Sequence, residues 1–341
     1  MDDYEFAPQQ ISEAGQEIID RLAPPSFREQ YRFYTPEEVL GTFNTMQEAL
    51  TGESVEALAA IQPRAQQTLV TLRANPKTQG YADWLQARMD FIDMAAEVQR
   101  AIPSTSTQPP LPPHPATPHK PLPPHPTTPQ KPLPPHPSPP QPKPPLVPHP
   151  TNRPPAEVAP TPPPASIEQA RNRYVESKQV WLRKLSNRPA PARAAALLPE
   201  LKRTFRAEGV PAELVWQAEA ESSFNPDARS PVGAAGLYQF MPATAQQFGL
   251  RLSPEDERLD AIKNARAAAK YLKALRSRFG NWSLAFAAYN CGESRVAKLL
   301  RQTGGRTFDD IHDKLPAETR MYVPKIAALI QLRENTDMDK L

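Results

Sequence analysis

Apolar residues recur at helical spacing in three segments near the start of the chain. The first begins at Thr35-Pro36-Glu37-Glu38, with a capping hydroxyl, a proline at the first helical position and acidic residues in the first turn. Two further helices are predicted at about Val55–Arg73 and Tyr81–Ala101, separated by Asn75-Pro76. Residues 1–101 are therefore predicted to form a small helical bundle, and nothing in it has the spacing of a catalytic site.

A helix farther along the chain places a carboxylate on an apolar face. Pro211 marks its start. Around the helix axis, Leu214, Ala218 and Glu221 fall within roughly 60° of one another, and Glu219 is predicted on the far side. Burial and the helix C-terminus both disfavour a negative charge, so we expect a raised pKa for Glu221, which suits a general acid. The simpler alternative is a helix-end glutamate that reaches back into water.

Small residues dominate the segment that follows this helix. Ser230-Pro231-Val232-Gly233-Ala234-Ala235-Gly236 has little side-chain bulk, so the backbone there can come close to a bound chain. Gln239 then offers an amide that can both donate and accept hydrogen bonds. The alternative is a glycine-rich turn before a small hairpin, with Met241 in the core, where methionine usually lies.

A short helix is predicted to begin after Asn281, which is a good capping residue, and to end before Gly292. Tyr289 would lie in its last turn, with the hydroxyl free to point into a cleft. A buried aromatic residue is the alternative interpretation.

Four sequence blocks follow one another in the C-terminal part of the chain. They are Glu221-Ser222-Ser223-Phe224-Asn225-Pro226, Gly233-Ala234-Ala235-Gly236-Leu237-Tyr238-Gln239-Phe240-Met241-Pro242, Ala288-Tyr289-Asn290-Cys291-Gly292 and Glu318-Thr319-Arg320-Met321-Tyr322-Val323. In order and spacing they resemble the family 1 lytic transglycosylases of the soluble lytic transglycosylase (SLT) type. The runs Ala287–Val296 and Pro316–Ile326 are most similar to the membrane-bound lytic murein transglycosylase D branch. The resemblance covers about Leu201–Leu332 and implies a mainly α fold with a goose-type-lysozyme-like helical catalytic domain.

The resemblance also implies roles for individual residues. Glu221 would be the single acid/base, and Ser222 would help to orient the intermediate and its N-acetyl group. Tyr289 and Glu318 are expected to influence the chemistry most among the positions that would line the sugar cleft. Those positions are Ser230, Gln239, Met241, Tyr289, Asn290 and Glu318. Cys291 stands where the family usually has a small residue, and we interpret it as a packing residue.

A single carboxylate favours a lyase over a hydrolase. An ordinary glycosidase uses two carboxylates, and the nearest second candidate, Asp227, follows Pro226 and is expected to serve a turn. The implied reaction therefore cleaves the β-1,4 bond between N-acetylmuramic acid and N-acetylglucosamine of peptidoglycan and leaves a 1,6-anhydro ring. One alternative is a lysozyme-like muramidase, which would need a second carboxylate across the cleft from Glu221. Another is a non-catalytic cell-wall-binding protein. No cofactor or metal is expected.

Most of the 45 prolines of the chain lie between its two helical parts, in residues 102–165. The run Pro110-Leu111-Pro112-Pro113-His114-Pro115 returns from Pro121 and from Pro132, as an 11-residue repeat. Such a segment favours extended polyproline II, so we predict a proline-rich linker. Its histidines, spread along an extended chain, are expected to be solvated. A helix from Ser166 to about Leu185 would then lead into a catalytic domain at 166–341.

Composition adds few constraints on location and partners. The net charge of +3 is mild, the single cysteine excludes an intramolecular disulfide, and no apolar stretch approaches the ~18 residues of a membrane span. No basic region stands at Met1, so a signal peptide is expected to have been removed or to lie upstream. We expect a protein of the periplasm or cell envelope that binds glycan strands and no nucleic acid. Residues 1–101 or the linker could hold an envelope protein partner.

Overall fold

The computed structural model of the protein describes residues 8–22, 34–101 and 178–341. Helices make up nearly all regular structure within these ranges, so the predicted mainly α fold is confirmed. The described residues belong to one compact unit built from 1–103 and 161–341. The predicted linker, its repeats and its histidines lie outside the described residues. None of the helices in the described ranges has the length and hydropathy that crossing a membrane requires.

The described part before residue 102 is a set of helices. They are α1 (Pro8–Leu22), α2 (Pro36–Thr51), α3 (Val55–Ala60), α4 (Gln62–Arg73) and α5 (Gln79–Ala101), with a 3-10 turn at Pro76–Thr78. The predicted start of α2 is confirmed. The Thr35 side chain accepts from the backbone N–H of Glu38, whose carboxylate accepts from the backbone N–H of Thr35.

The prediction of a single helix over residues 55–73 was wrong, because this segment forms two helices, α3 and α4, which are separated at Ile61. Pro63 lies in the first turn of α4. It has no N–H to donate to the preceding turn, so a continuous helix would lose a hydrogen bond there. At the start of a new helix the missing donor costs little.

Residues 178–185 are helical, and residues 166–177 of the helix predicted there lie outside the described residues. The helices that follow are α6 (Ala194–Ala207), α7 (Gln217–Ser222), α8 (Pro242–Gln247), α9 (Ala261–Phe279), α10 (Trp282–Cys291), α11 (Glu293–Thr303), α12 (Phe308–Ile311) and α13 (Ala317–Glu334). Short 3-10 segments lie at Ala212–Trp216, Glu257–Leu259, His312–Lys314 and Met338–Lys340. The predicted bounds of α10 are confirmed: the Asn281 side chain accepts from the Leu284 N–H, and Gly292 ends the helix at φ 93°.

Helix α13 is buried along most of its length and packs against α2, α5, α7 and α10. Its contact with α5 contains an ion pair in which Lys325 Nζ lies 2.9 Å from Asp90 Oδ2, with both side chains buried. Arg188 also donates to Asp90, and Asn225 Nδ2 donates to Asp83 Oδ2 at 2.7 Å. The N-terminal helices and the C-terminal part therefore pack against each other. The division into domains at residues 101 and 166 stays a prediction.

The small hairpin predicted after Ser230 is reduced to two single bridges, Arg229 with Ala235 and Ala235 with Phe240. No strand forms anywhere in the described ranges. The turn depends on Gly236, which has φ 85° and whose added Cβ would lie 1.9 Å from the carbonyl oxygen of Arg258. The small residues of this segment therefore allow the chain to approach its own backbone closely.

Candidate active site

Glu221 lies in the last turn of α7, where the chain bends sharply. The two residues that follow α7, Ser223 and Phe224, have left-handed backbone conformations, with φ 52° and 60°. Only 4 % of Glu221 is exposed, and Leu214 and Ala218 are buried on the same face. The predicted burial of Glu221 on an apolar face is confirmed, although the α-helix begins at Gln217 after a 3-10 segment.

The prediction that Glu219 faces away from the core was wrong. Its carboxylate is buried and accepts from Arg333 Nη2 at 2.8 Å and from Arg333 Nε at 3.1 Å. Arg333 lies in α13, so a cation distant in sequence allows a charge to be buried on that side of α7. The short α7 is consequently surrounded by protein on all its faces.

Two side chains donate hydrogen bonds to the carboxylate of Glu221, one to each oxygen. Tyr322 Oη donates to Oε1 at 2.6 Å, and Arg88 Nη2 donates to Oε2 at 3.3 Å. Arg88 also donates through Nη1 to the backbone carbonyl oxygen of Glu221 at 2.7 Å. Gln217 Nε2 donates to the Tyr322 hydroxyl at 2.9 Å and so completes a chain of hydrogen bonds that ends on Glu221.

The pKa of Glu221 is raised above its ordinary 4.5, first of all by burial. The charge of Arg88 and the hydrogen bond from Tyr322 act in the opposite direction, and the nearby charge of Glu318 adds to the rise. The direction agrees with the expectation from sequence. Burial and the charge of Glu221 also hold the pKa of Tyr322 well above 10, so its hydroxyl remains a donor.

Tyr289 is partly buried in the last turn of α10, as predicted, but its hydroxyl is not free. It donates to the backbone carbonyl oxygen of Tyr238 at 2.8 Å. The ring packs against Tyr271 and Phe240, with centroids 5.0 and 6.1 Å apart. Burial raises the pKa of Tyr289 well above 10, and the charge of Glu221 raises it further, so the hydroxyl stays protonated.

Asn290 and Glu318 are brought together beside this cluster. Asn290 Nδ2 donates to Glu318 Oε1 at 3.3 Å, and Asn290 Oδ1 accepts from the Thr319 hydroxyl at 2.6 Å. Arg88 Nε lies 3.8 Å from Glu318 Oε1. Arg88 therefore stands between the carboxylates of Glu221 and Glu318 and contacts both.

The polar groups predicted in the segment 222–239 are bound to its own backbone. The Ser222 hydroxyl donates to Leu237 O at 2.8 Å, and Ser230 Oγ accepts from Ala234 N at 2.8 Å. Gln239 Nε2 donates to Gly236 O at 2.8 Å, while its buried Oε1 has no hydrogen-bond partner among the described residues. All three side chains are buried, so they hold the shape of this loop.

Met241 and Asp227 lie nearer the surface. Met241 is 43 % exposed, so the alternative of a methionine in the core was wrong, and its position in the sugar cleft stays a prediction. Asp227 is exposed, and its backbone N–H donates to the Asn225 side chain at 3.1 Å, the turn that the sequence predicted.

Residues 201–311 match the family described as "Transglycosylase SLT domain". We call this matched segment the SLT domain. The matched segment includes Glu221, Gln239 and Tyr289, and ends before Glu318 and Tyr322. The resemblance predicted from the sequence blocks is confirmed.

Two relatives that match this part of the chain carry transglycosylase names. Membrane-bound lytic murein transglycosylase D of Escherichia coli (strain K12) is 35 % identical over 170 residues, which cover 48 % of this chain and 38 % of the relative. Soluble lytic murein transglycosylase of the same strain is 38 % identical over 120 residues, covering 33 % of this chain and 18 % of the relative. The chain thus spans well under half the length of these relatives. An inactive mutant of the lytic transglycosylase Slt from Pseudomonas aeruginosa superposes with a TM-score of 0.38 at 31 % identity, over 51 % of this chain and 31 % of that one.

Two residues that contact the key carboxylate of the SLT domain were missed from sequence, namely Arg88 and Tyr322. Tyr322 belongs to the block that begins at Glu318, so the resemblance contained a signal for it. Arg88 lies in α5, far outside the matched segment. Its one signal in the sequence is that a charged residue stands among the apolar residues of a helix, where it is buried.

Cys291 is a free, partly buried thiol at the end of α10 and packs against the core, in agreement with its interpretation as a packing residue. Burial raises its pKa to about 11, which keeps it a thiol at neutral pH. The described residues hold no group of three or more side chains arranged to bind a metal ion.

Proposed function

We propose that the protein is a peptidoglycan lytic transglycosylase in which Glu221 is the single acid/base. The observation that carries the proposal is the buried Glu221 carboxyl inside an SLT domain, with its pKa raised by burial. A carboxyl that keeps its proton to a higher pH can donate it near neutrality. The names of the two relatives described above support the same reaction class.

The proposed reaction begins when Glu221 donates its proton to the oxygen that links N-acetylmuramic acid to N-acetylglucosamine. The bond from C1 of the muramic residue to that oxygen breaks, and the N-acetyl group of the same residue stabilises the positive centre. The C6 hydroxyl oxygen then bonds to C1, and its proton returns to Glu221. The products are a free N-acetylglucosamine end and a 1,6-anhydromuramic end, and no water is consumed.

Further residues are proposed to shape the sugar cleft around this step. Ser222 would orient the intermediate through the loop that it holds at Leu237. Glu318 is proposed to act on the chemistry through its charge near Glu221, and Tyr289 through its neutral hydroxyl, which is bound to the Tyr238 carbonyl oxygen. The remaining proposed cleft residues are Ser230, Gln239, Met241 and Asn290.

The substrate class implies a location in the periplasm or cell envelope, with glycan strands as the binding partner. An envelope protein that binds residues 1–101 or the proline-rich segment stays a prediction.

The test is mass spectrometry of muropeptides that the full-length protein releases from purified peptidoglycan. We expect products one water lighter than hydrolysed species, and loss of release in Glu221→Gln by a factor on the order of 10²–10⁴. The full chain is needed because α5 packs directly against Glu221. Near-full activity of Glu221→Gln would remove Glu221 from the mechanism.

A muramidase on the same fold is the second candidate, because Glu318 shares Arg88 with Glu221. A two-carboxylate hydrolase needs such a second group as base or nucleophile. Hydrated reducing ends from the wild type, lost in Glu318→Gln, would favour this reaction. Binding of peptidoglycan without any release would instead indicate a wall-binding protein.

A further inference from the structure

The N-terminal helices supply a charged group to the acid/base of the SLT domain. Arg88 lies in α5, outside the matched residues 201–311, and is separated from Glu221 by 133 positions in the sequence. Its guanidinium donates two hydrogen bonds to Glu221, one to the backbone carbonyl oxygen at 2.7 Å and one to the carboxylate Oε2 at 3.3 Å. Two contacts from one planar group fix the direction of the carboxyl.

Arg88 is itself held firmly. Its side chain is 10 % exposed, and its guanidinium carbon lies 5.4 Å from the centre of the Trp84 ring one turn earlier in α5. Its Nε lies 3.8 Å from Glu318 Oε1. An aromatic ring and two carboxylates therefore compensate for the burial of this cation.

Buried polar contacts fix helix α5 to the C-terminal part of the chain. Lys325 Nζ donates to the backbone carbonyl oxygen of Ala87, beside Arg88, and pairs with Asp90 while only 2 % of the Lys325 side chain is exposed. Asp83 accepts from Asn225, four residues after Glu221. Separating these groups would leave buried charges and polar atoms without partners, so the contact between Arg88 and Glu221 is a permanent part of the site.

We propose that Arg88 is a positioning residue of the acid/base: it holds the Glu221 carboxyl in place and stabilises the carboxylate that forms when Glu221 gives up its proton. This inference rests on the proposed function. A partial negative charge develops on Glu221 in the proton-transfer step, and a preorganised cation lowers the energy of that charge without reorganising. The SLT domain in this protein then depends on a residue that its own segment does not contain.

The sign of the effect follows from the groups that face Glu221. They are Arg88 from α5, Tyr322 and Glu318 from α13, and Tyr289 from α10. Arg88 lowers the pKa of Glu221, while burial and Glu318 raise it. The acid form is active, so activity falls as the pH rises through this pKa. Removing the charge of Arg88 must therefore move that fall to higher pH.

The experiment compares full-length wild type with Arg88→Gln and Arg88→Lys. Glutamine can still donate to the Glu221 backbone but has no charge, whereas lysine keeps the charge and loses the planar fork. Arg73→Gln is the matched control, because Arg73 is an exposed arginine of the same helical part that donates to Gln86. Release of anhydromuropeptides from purified peptidoglycan is measured against pH, and thermal unfolding verifies that each variant is folded.

We expect Arg88→Gln to lower the rate on the low-pH plateau by about 10- to 100-fold, the loss typical of a hydrogen bond to a charged group, and to move the high-pH fall in activity upward. Arg88→Lys should lose rate but keep the wild-type fall, and Arg73→Gln should change neither. If Arg88→Gln is unfolded, the result for Arg88→Lys tests the proposal. A plateau rate equal to that of the wild type in Arg88→Lys, or a fall in its activity at a different pH, overturns the proposal.

Other outcomes also overturn it. An unchanged rate and pH profile in folded Arg88→Gln would mean that Arg88 only packs against the site. A higher plateau rate in both Arg88 variants would mean that Arg88 inhibits the reaction instead of supporting it. Failure of the proposed function is seen separately, because the wild type would then release no anhydro products.

Discussion

Replacing Tyr322 with phenylalanine removes one oxygen that two buried side chains share. Its hydroxyl donates to Glu221 Oε1 at 2.6 Å and accepts from Gln217 Nε2 at 2.9 Å. Gln217 is 0 % exposed and Glu221 4 %, so bulk water does not replace either bond. A buried donor left without a partner costs about 1–3 kcal/mol, and we expect Tyr322→Phe to lose that much free energy of unfolding in urea titrations.

We expect the same change to affect the proposed reaction as well. The Tyr322 hydrogen bond lowers the pKa of Glu221, so its removal raises that pKa and moves the high-pH fall in activity upward. A hydrogen bond to a charged group is worth about 1.5–3 kcal/mol, which corresponds to a rate loss of roughly 10- to 100-fold. The assay is release of anhydromuropeptides from peptidoglycan as a function of pH.

Tyr238→Phe is the matched control for this prediction. It removes another buried tyrosine hydroxyl, one that donates to the Val215 carbonyl oxygen at 3.2 Å and not to Glu221. The control should lose stability without a change in the pH profile. If Tyr322→Phe and Tyr238→Phe give the same rate and pH profile, the hydrogen bond to Glu221 has no role in catalysis and the reasoning fails.

Further predictions concern stability. Because the folded pKa of Glu221 lies above its ordinary 4.5, the unfolded chain loses this proton first, and the folded state loses stability as the pH rises from about 4.5 through the folded pKa. Glu221→Gln cannot lose this proton, so the free energy of unfolding of the variant minus that of the wild type should increase across this pH window. A difference that stays constant or decreases with pH contradicts the burial argument. Lys325→Met leaves buried Asp90 with Arg188 as its remaining cation, and we expect a cost of roughly 3 kcal/mol in urea unfolding. A cost below about 1 kcal/mol, the value of an exposed pair, would mean that this ion pair does not hold α5 in place.

The parts of the site that depend on neighbours in sequence could be predicted. The burial of Glu221 follows from residues within two turns of it. The bounds of α10 follow from Asn281 and Gly292, which act locally through a side-chain cap and a positive φ. The break at Ile61 also has a local cause, Pro63 at the second position of α4, but the apolar pattern continues through the break and favours a single helix.

The partners of Glu221 could not be predicted by these means. Arg88 and Tyr322 stand 133 and 101 positions away from it, and no periodicity links residues at that separation. The burial of Glu219 has the same origin, because Arg333 lies 114 positions away. A sequence pattern shows which side of a helix is apolar, whereas the cation that permits a buried charge comes from the tertiary fold.

The packing of α5 against α13 also determines what a break in the chain would do. Residues 1–103 and 161–341 belong to one compact unit, joined by contacts that include the buried Asp90–Lys325 pair. A peptide bond cut between residues 103 and 161 would thus leave two fragments bound to each other through side chains and backbone groups. Arg88 would stay beside Glu221 in such a nicked protein, and the protein would then behave as a heterodimer of its own two halves.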